Sequence, residues 1–403
     1  MTEEYRFKHI GALIRAFEMR YGGKPTIASR APGRINLIGE HTDYNDGWVL
    51  PAAINYEINV VCRPRNDSLV RLVALDMGKE SDFYLENHNR TDFLWLRYPQ
   101  GVAVELQNRG YKLRGMEAVY MGDIPVGSGL SSSAAVEVAF VHAFCRAADI
   151  ELKGEEVALI AQRAENDFVG VPCGVMDQFV SSLGRQDHAL LLDSRSLEYQ
   201  HIPINLPNVS LVILDTGVSR ELAGSEYRKR RQDCEEAVTR LSTRISGIKA
   251  LRDVTLEQLE ENLDLLTSTQ RKRARHVIEE NMRTLEAAEA LRNGDAAAIG
   301  RLMKESHISL RDLYEVSSFE LDTIVEIAWD TDGVIGARMT GAGFGGVALA
   351  LVHQDAVPTL YERVMQEYPA RTGKEPKVFV CRAVDGAESA LMEEVQVHSI
   401  WNV

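Results

Sequence analysis

The chain has 403 residues with an apolar content of 45%, enough for two domains that each bury a core. Its net charge of −14 argues against general nucleic-acid binding, which needs a basic surface, and no apolar run is long enough to span a bilayer. Five widely spaced cysteines without a C-x-x-C pair indicate free thiols in a reducing compartment, and the N-terminus has no apolar signal segment, so we expect a cytoplasmic protein.

The first hundred residues predict a helix, three strands and a second helix. Ile10 and Phe17 fall on one helical face, and the Gly-Gly pair at 22–23 ends that helix. Strands are predicted from apolar runs bounded by turn residues, over 26–31, 54–62 and 69–75. Another helix is predicted over 99–108, and Trp95 stands just before it.

A polar segment follows the first strand, and we call its densest part, residues 39–43, the polar loop. It brings two carboxylates, an imidazole and a hydroxyl together in Glu40, His41, Thr42 and Asp43. Such a group can bind several hydroxyls of a polyol at once, because carboxylates accept hydrogen bonds and histidine accepts or donates them. A metal site is the weaker hypothesis, since no second histidine follows at a ligand spacing, and a solvated turn is the alternative. Apolar residues just before the loop anchor it in a core and favour a rigid site.

A glycine- and serine-rich segment at 125–135, the serine loop, lies between a predicted strand over 116–121 and a predicted helix. Glycines let the backbone approach a ligand closely, and the first N–H groups of a helix have no partner inside it. This arrangement suits a phosphate, although a serine-capped helix start is the alternative. No Walker A motif occurs in the chain, so no P-loop lysine contributes. The candidate nucleotide contacts are Gly127, Ser128, Gly129, Leu130, Ser131, Ser132 and Ser133.

Three charged residues are candidates for chemistry. Asp177 comes shortly after Gly174 at the start of a predicted helix, where it is either a general base for a hydroxyl or only a favourable charge near the helix N-terminus. Glu165 lies in a helix predicted over 154–168, and taken alone it is interpreted as a surface residue. Arg34 follows a glycine and offers a forked donor to a phosphate or an acid.

The second half is predicted to be mostly helical and then to form a small mixed sheet, with a domain boundary near residue 195. A basic run at 228–231 within the helix predicted over 222–241 is interpreted as a solvated face. Further elements are predicted over 255–330 (helical), 334–340 (strand), 347–352 (strand), 358–367 (helix) and 377–382 (strand). The Gly-x-Gly-x-x-Gly at 341–346 lies between two strands, so it predicts close backbone approach to a ligand or another loop instead of a dinucleotide site.

These segments together resemble the GHMP kinase superfamily and, within it, the galactokinase family. Residues 33–44 are similar to the galactokinase signature without a break, the serine loop resembles the superfamily's ATP loop, and residues 339–346 resemble its C-terminal glycine motif. Segments at 225–227 and 306–312 are also similar to galactokinase blocks. The resemblance implies an α+β fold of two lobes with the active site between them. Its N-terminal lobe would comprise residues 1–195 and its C-terminal lobe residues 196–403.

The resemblance also implies a role for each matching position. The serine loop would wrap the phosphates of ATP, and Ser133 with Glu165 would hold Mg²⁺. Asp177 would take the proton of the sugar's C1 hydroxyl, and Arg34 would bind beside it and stabilise charge. Trp95 would line the adenine pocket. The sugar itself would be bound by Glu40, His41, Thr42, Asp43, Gly174 and Tyr227.

The implied activity is ATP-dependent phosphorylation of α-D-galactose at the C1 hydroxyl, giving galactose 1-phosphate and ADP, by a monomer. A sugar hydroxyl is a weak nucleophile and ATP is strongly anionic, so the transfer needs positioning, a cation on the phosphates and a base. One alternative is a kinase for N-acetylgalactosamine or arabinose, and another is a non-catalytic galactose sensor. The complete Ser-Ser-Ser-Ala-Ala segment at 131–135 favours catalysis, because sensor relatives lose residues from this loop.

Overall fold

The computed structural model describes residues 7–395 except Val126, Ser128 and residues 219–222, so the nucleotide contact predicted for Ser128 lies outside the described residues. The described strands form one six-stranded, one four-stranded and one three-stranded sheet. They are β1 (Ile27–Asn36), β2 (Trp48–Val49), β3 (Pro51–Pro64), β4 (Leu69–Ala74), β5 (Lys79–Tyr84), β6 (Met116–Gly122), β7 (His188–Asp193), β8 (Tyr199–Pro203), β9 (Val209–Asp215), β10 (Val334–Thr340), β11 (Val347–His353), β12 (Lys377–Cys381) and β13 (Glu388–Leu391).

Helices cover the sheets and make up most of the second half. They are α1 (Ile10–Tyr21), α2 (Leu94–Asn108), α3 (Ser132–Ala147), α4 (Gly154–Arg163), α5 (Met176–Leu183), α6 (Ala223–Leu241), α7 (Leu256–Glu261), α8 (Ser268–Asn293), α9 (Ala296–Ser309), α10 (Phe319–Trp329) and α11 (Val357–Thr372). Wider π-helical turns continue α4 over Ala164–Val169 and α9 over Leu310–Tyr314. Among the described residues, no helix combines the length and the apolar character needed to cross a membrane.

The six-stranded sheet has the order β13-β1-β3-β6-β4-β5. Its neighbouring strands are antiparallel except for β4 and β6, which run parallel. Helix α3 packs on β1 and β3, where the buried Ser29 Oγ donates a hydrogen bond to the Ala139 carbonyl at 2.9 Å. This packing fixes the start of α3, and therefore the serine loop, next to the C-terminal part of β1.

Strand β1 and the serine loop meet at Gly33. A Cβ atom at this position would lie 2.6 Å from the carbonyl oxygen of Leu130, and the N–H of Arg34 donates to the same oxygen at 3.0 Å. The pairing of β1 with β3 shifts register between Pro32 and Arg34, and this bulge lets the strand continue past a proline and a glycine. The strand therefore extends to Asn36, whereas the sequence pattern predicted its end at residue 31.

The four-stranded sheet has the order β10-β11-β9-β12, and α9 and α10 pack on β10. The long helix α8 begins with a capping box, in which Thr267 Oγ1 accepts the Gln270 N–H at 3.2 Å and Gln270 Oε1 accepts the Thr267 N–H at 3.1 Å. It ends at Gly294, whose φ of 67° lies in the left-handed region that favours glycine at this position. Helix α8 belongs to the C-terminal half, and its middle contacts the polar loop.

The C-terminal strands differ from the prediction in two respects. The sheet predicted as mixed is antiparallel at every described pairing, because β9 inserts between β11 and β12. Strand β13 does not belong to this sheet but pairs with β1 of the six-stranded sheet.

The domain boundary predicted near residue 195 stays a prediction. Strand β8 pairs with β7 across this position, so the two strands on either side of it belong to one sheet.

Candidate active site between the two halves

A cavity of about 430 Å³, here called the polar cavity, lies where both halves of the chain meet. The N-terminal half contributes the polar loop, the described part of the serine loop and residues 170–177. The C-terminal half contributes Tyr227 and Arg228 from α6, and Gly341 and Ala342 from the turn between β10 and β11. Most of the candidate residues predicted from the sequence therefore line one cavity.

A second cavity of about 730 Å³, the aromatic cavity, adjoins the first at Ser132 and Ser133, which line both. Trp95 and Tyr120 lie in its wall with their ring centroids 6.4 Å apart. Trp95 belongs to α2, which begins at Leu94 and not at Pro99 as predicted, since this proline lies inside the helix and not in its first turn. The serines at the start of α3 thus stand between an aromatic cavity and a polar one.

Arg34 and Asp177 form a two-pronged ion pair in the polar cavity. Arg34 Nε donates to Asp177 Oδ1 and Nη2 donates to Oδ2, both at 2.8 Å, while Nη1 donates to the carbonyl of Gly129 at 2.6 Å. Ser131 Oγ donates to Asp177 Oδ2 as well. The planar guanidinium matches the carboxylate and the loop carbonyl at the same time, so it holds the acid at a fixed orientation beside the serine loop.

The described part of the serine loop is shaped by left-handed backbone conformations. The φ angles are 77° at Gly127, 82° at Gly129 and 61° at Ser131, and α3 begins at the next residue, Ser132. The start of α3 therefore lies at both cavities, where the unpaired N–H groups and the dipole of a helix favour an anion. Leu130 was predicted as a nucleotide contact, but its side chain is buried and its carbonyl accepts the Arg34 N–H of β1. Leu130 therefore anchors the serine loop to β1.

Behind the serines, Glu137 and Glu165 form a buried carboxylate pair joined by Gln178. Gln178 Nε2 donates to Glu165 Oε2 at 2.6 Å and to Glu137 Oε2 at 3.2 Å, and Cys173 Sγ donates to Glu165 Oε2 at 3.4 Å. Glu137 Oε1 has no hydrogen-bond partner. Burial, and next the neighbouring Glu165 charge, raise the pKa of Glu137 well above its usual range, and burial followed by the Asp177 charge raises the pKa of Glu165. Glu165 is thus a buried residue of the site and not a surface glutamate.

On the other side of Asp177, the polar loop presents Glu40 and Asp43. Glu40 Oε1 accepts the Gly341 N–H at 2.7 Å, so the glycine turn after β10 approaches another loop as the sequence predicted. Burial, and next the Asp177 charge, raise the pKa of Asp43 to about 7. A Cβ atom at Gly174 would overlap Asp43 Oδ2, so only glycine leaves room for this carboxylate at the cavity wall.

His41 lines the polar cavity, but protein groups engage both of its ring nitrogens. Nδ1 lies 2.8 Å from the hydroxyl of Tyr44, and Nε2 lies 3.2 Å from the carbonyl of Ala342. A carbonyl only accepts, so Nε2 carries the proton and Nδ1 accepts from Tyr44, whose oxygen lies 2.8 Å from the hydroxyl of Tyr314. Burial lowers the pKa of His41 to about 3, so the ring is neutral. The Tyr227 ring packs against it with centroids 5.7 Å apart.

Family models match three parts of the chain: the galactokinase galactose-binding signature over residues 15–64, the GHMP kinase N-terminal domain over 97–185 and the GHMP kinase C-terminal domain over 287–370. Galactokinase of Roseiflexus sp. (strain RS-1) is 46% identical over 93% of this chain and 96% of its own length. Galactokinase of Chloroflexus aurantiacus is 47% identical over 96% of this chain and 99% of its own. The chain belongs to the galactokinase family.

Solved structures agree with this assignment. Lactococcus lactis galactokinase, complexed with galactose, has a TM-score of 0.91 and 37% identity, covering 94% of this chain and 99% of its own. Methanococcus jannaschii mevalonate kinase has a TM-score of 0.65 at 19% identity, a likeness that shows the fold alone. The galactokinase family, the sugar-kinase class and the two-lobed α+β fold implied by the sequence are thus confirmed.

One residue predicted to contact the sugar, Thr42, does not line the polar cavity. Thr42 is fully buried, and its hydroxyl is paired with the carbonyls of Gly39 and Trp48 at 2.8 and 2.7 Å. The hydroxyl therefore closes the turn of the polar loop, whereas the sequence pattern listed it with the sugar contacts. Short polar side chains commonly make such local bonds, which a motif alone does not distinguish from ligand contacts.

Sequence reasoning missed other parts of the galactokinase site. The basic run at 228–231 was interpreted as a solvated face, which holds for the exposed Arg228 and Lys229 but not for the buried Arg230, and Arg228 also lines the polar cavity. The helical spacing contained a usable signal for Glu137, since it lies four residues after Ser133 on α3 and so shares its face. Gln178 directly follows Asp177, but only the fold shows that it joins two acids.

Proposed function

We propose that the protein transfers the γ-phosphoryl group of ATP to the C1 hydroxyl of α-D-galactose. The observation that carries this proposal is the position of Asp177, which is paired with Arg34 in one cavity with the serine loop and the polar loop. The Lactococcus lactis relative, which was solved with galactose, supports galactose as the sugar.

The aromatic cavity suits the adenine of ATP. An adenine ring stacks on aromatic side chains, and Trp95 and Tyr120 offer such surfaces. The two serines shared by both cavities lie at the start of α3, so the triphosphate would extend from the aromatic cavity onto the described part of the serine loop. Arg228 adds a positive charge at the polar cavity, as a chain without a P-loop lysine requires.

Ser133 and Glu165 are the residues that would hold Mg²⁺. No group of three or more His, Cys, Asp or Glu suited to a metal ion occurs in the described part of the chain. The donors present nevertheless fit Mg²⁺, because this ion takes one or two carboxylates and fills its other positions with phosphate and water. Glu137 Oε1, beside Glu165, has no hydrogen-bond partner, so the buried acids at this place can take a further donor or a cation. When bound, the ion neutralises charge on the phosphates.

Asp177 would accept the proton of the C1 hydroxyl during transfer. The C1 oxygen forms a bond to the γ-phosphorus, the bond from that phosphorus to the bridging oxygen breaks, and ADP leaves with the electron pair. Arg34 holds the Asp177 carboxylate through two hydrogen bonds of 2.8 Å and stabilises the charge that moves past it. A well-placed base of this kind contributes a rate factor of about 10² to 10⁴.

The polar loop would bind the remaining sugar hydroxyls. Glu40 and Asp43 supply acceptors, while His41 and Tyr227 together form a wall of the polar cavity. Because both His41 nitrogens already have protein partners, this residue would contribute mainly shape in the described arrangement. Gly174 would be required for space, since it leaves room for Asp43.

An assay of ATP consumption across free sugars tests the proposal. The panel contains galactose, N-acetylgalactosamine, arabinose and glucose, a reaction without sugar measures background hydrolysis, and phosphorus NMR identifies the phosphorylated carbon. We expect the highest kcat/KM for galactose, with phosphate on C1. Faster turnover of another sugar, phosphate on another carbon, or galactose binding without ATP consumption would contradict the proposal.

A further inference from the structure

A fully buried carboxylate of the C-terminal half accepts hydrogen bonds from the backbone of the polar loop. Glu280 lies in the middle of α8, and its Oε1 accepts the N–H groups of Gly39 at 3.0 Å and Glu40 at 3.3 Å. The same oxygen accepts Ser306 Oγ at 2.6 Å, and Oε2 accepts Arg283 Nε at 2.7 Å. A carboxylate with this many donors is held in one orientation and orients its donors in return.

Carbonyl groups of the same stretch bond to further side chains of the C-terminal half, among them Arg338, His276 and Thr340, whose Oγ1 donates to the Asn36 carbonyl at 3.0 Å. The fully buried Arg338 of β10 donates through Nη1 to the carbonyls of Asn36 at 3.0 Å and Leu37 at 3.1 Å. His276 Nε2 lies 3.1 Å from the carbonyl of Glu40. The backbone of residues 36–40 therefore bonds to four side chains that lie more than 200 positions later in the sequence: His276, Glu280, Arg338 and Thr340.

These contacts hold a backbone that would not keep its shape unaided. Gly39 has a φ of 97°, and His41, a residue with a side chain, has a φ of 62°. A Cβ atom at Gly39 would lie 2.8 Å from the carbonyl oxygen of Trp48. Such conformations persist only where the surroundings determine them, and here Glu280 bonds directly to the backbone that precedes His41.

The charges agree with a permanent anion at this position. Burial alone would raise the pKa of Glu280, but Arg283, His276 and Arg338 outweigh it and lower the pKa to about 2. Arg338 Nη1 also lies 3.5 Å from Glu40 Oε1, and Nη2 lies 4.0 Å from Glu280 Oε1. One guanidinium therefore lies between Glu280 and Glu40, the proposed sugar contact.

We propose that Glu280 and Arg338 are positioning residues for the sugar: they set the polar loop so that Glu40, His41 and Asp43 face the polar cavity. This inference rests on the proposed function. Neither side chain lines the polar cavity, so both act through the loop. The alternative is that the pair only stabilises the fold, in which case its loss would lower stability without a selective effect on galactose.

The test compares Glu280→Gln with Glu286→Gln, an exposed acid on the same helix that pairs with Arg301. The amide keeps the shape of Glu280 but removes one acceptor oxygen and the negative charge. We expect KM for galactose to rise about tenfold or more while KM for ATP stays within about twofold. Glu286→Gln should leave both values unchanged.

Ser306→Ala is a second variant for the case in which Glu280→Gln does not fold, because it removes one donor to Glu280 and leaves every charge in place. We expect about a threefold rise in KM for galactose and faster hydrogen exchange at the Gly39 and Glu40 amides. Equal changes in both KM values, or an unchanged KM for galactose with a lower Tm, would overturn the inference. Galactose titration of the unmutated protein separates the two claims, since failure to bind the sugar at all would refute the proposed function instead.

Discussion

The two sides of the polar cavity, the proposed phosphate side at the serine loop and the proposed sugar side at the polar loop, are built in different ways. On the phosphate side, left-handed residues at Gly127, Gly129 and Ser131 lead directly into α3, so one short stretch of backbone makes the site. On the sugar side, the polar loop bonds to Glu280 and Arg338, side chains 240 or more positions away. A local motif therefore makes the backbone of the phosphate side, whereas the backbone of the sugar side is held by side chains from the other half of the chain.

This difference predicts two kinds of variant. Changes on the phosphate side should alter ATP or metal dependence and leave galactose binding intact. Changes on the sugar side should alter galactose binding, and the responsible residue can lie in either half of the chain. Asp177 lies between the two sides and should affect turnover without loss of either ligand.

Asp177→Asn has the largest expected effect. The amide keeps the size of the side chain but does not accept a proton, so kcat should fall about 10²- to 10⁴-fold. Calorimetric titration should show dissociation constants for ATP and galactose within about threefold of the unmutated protein. Asp149→Asn, in the exposed turn after α3, is the matched control. A kcat close to that of the unmutated protein would rule out Asp177 as the base.

Gly174→Ala should weaken galactose binding and leave ATP binding unchanged. The added methyl group overlaps Asp43 Oδ2, and since a flexible carboxylate can turn away, the fold should survive while Asp43 is displaced. At a pH above the Asp43 pKa of about 7, KM for galactose should rise about thirtyfold, in keeping with the loss of a hydrogen bond to a charged group, and KM for ATP should not change. Gly11→Ala, where the new Cβ would lie 3.6 Å from Arg15 Nη1, serves as the control. Unaltered galactose kinetics would show that Asp43 does not contact the sugar.

Glu165→Gln should affect the phosphate side alone. Replacing a charged ligand with a neutral one should raise the Mg²⁺ concentration for half-maximal activity about tenfold, with galactose affinity unchanged. Magnesium titrations at saturating ATP and galactose measure the shift. Glu156→Gln, an exposed position on α4, is the control, because glutamine also suits the third position of a helix. Overlapping titration curves for Glu165→Gln and the unmutated protein would remove Glu165 from the metal site.

Asp43 should give the smallest effect, visible in stability as a function of pH. Its pKa is raised from 3.8 to about 7, so between these values the folded protein keeps a proton that the unfolded chain has lost. The free energy of unfolding therefore falls as pH rises through this window, by roughly 1–3 kcal/mol relative to Asp43→Asn, which does not titrate. Urea unfolding of both proteins from about pH 4.5 to 7.5 measures the difference. A difference that stays constant with pH would contradict the raised pKa.

The elements that could be predicted from sequence are those with a strong local pattern. Strand β10 has the predicted bounds, since it is rich in apolar residues and turn residues flank it. Strands β5 and β13 escaped prediction because they are short and hold several charged or polar residues. The end of β1 was wrong because proline and glycine at 32–33 suggested a break, whereas a bulge carries the strand past them.

The same distinction applies to the site. The signature around Glu40 and the serine loop identified the cavity from sequence, since each is one continuous segment. Glu280 could not be recognised as buried, because a single acid in a helix usually faces solvent and only tertiary packing covers it, whereas Glu137 had the one local signal of its spacing from Ser133. Thr42 shows the converse, a residue inside the signature whose hydroxyl serves the turn.

A crystal structure with galactose and a non-hydrolysable ATP analogue tests the central claim most directly. The quantity to measure is the distance from the C1 oxygen of the sugar to the Asp177 carboxylate and to the γ-phosphorus. We predict hydrogen-bond contact with Asp177, with the phosphates on the serine loop and the start of α3. A C1 oxygen turned away from Asp177, or phosphates bound away from the serine loop, would contradict the account.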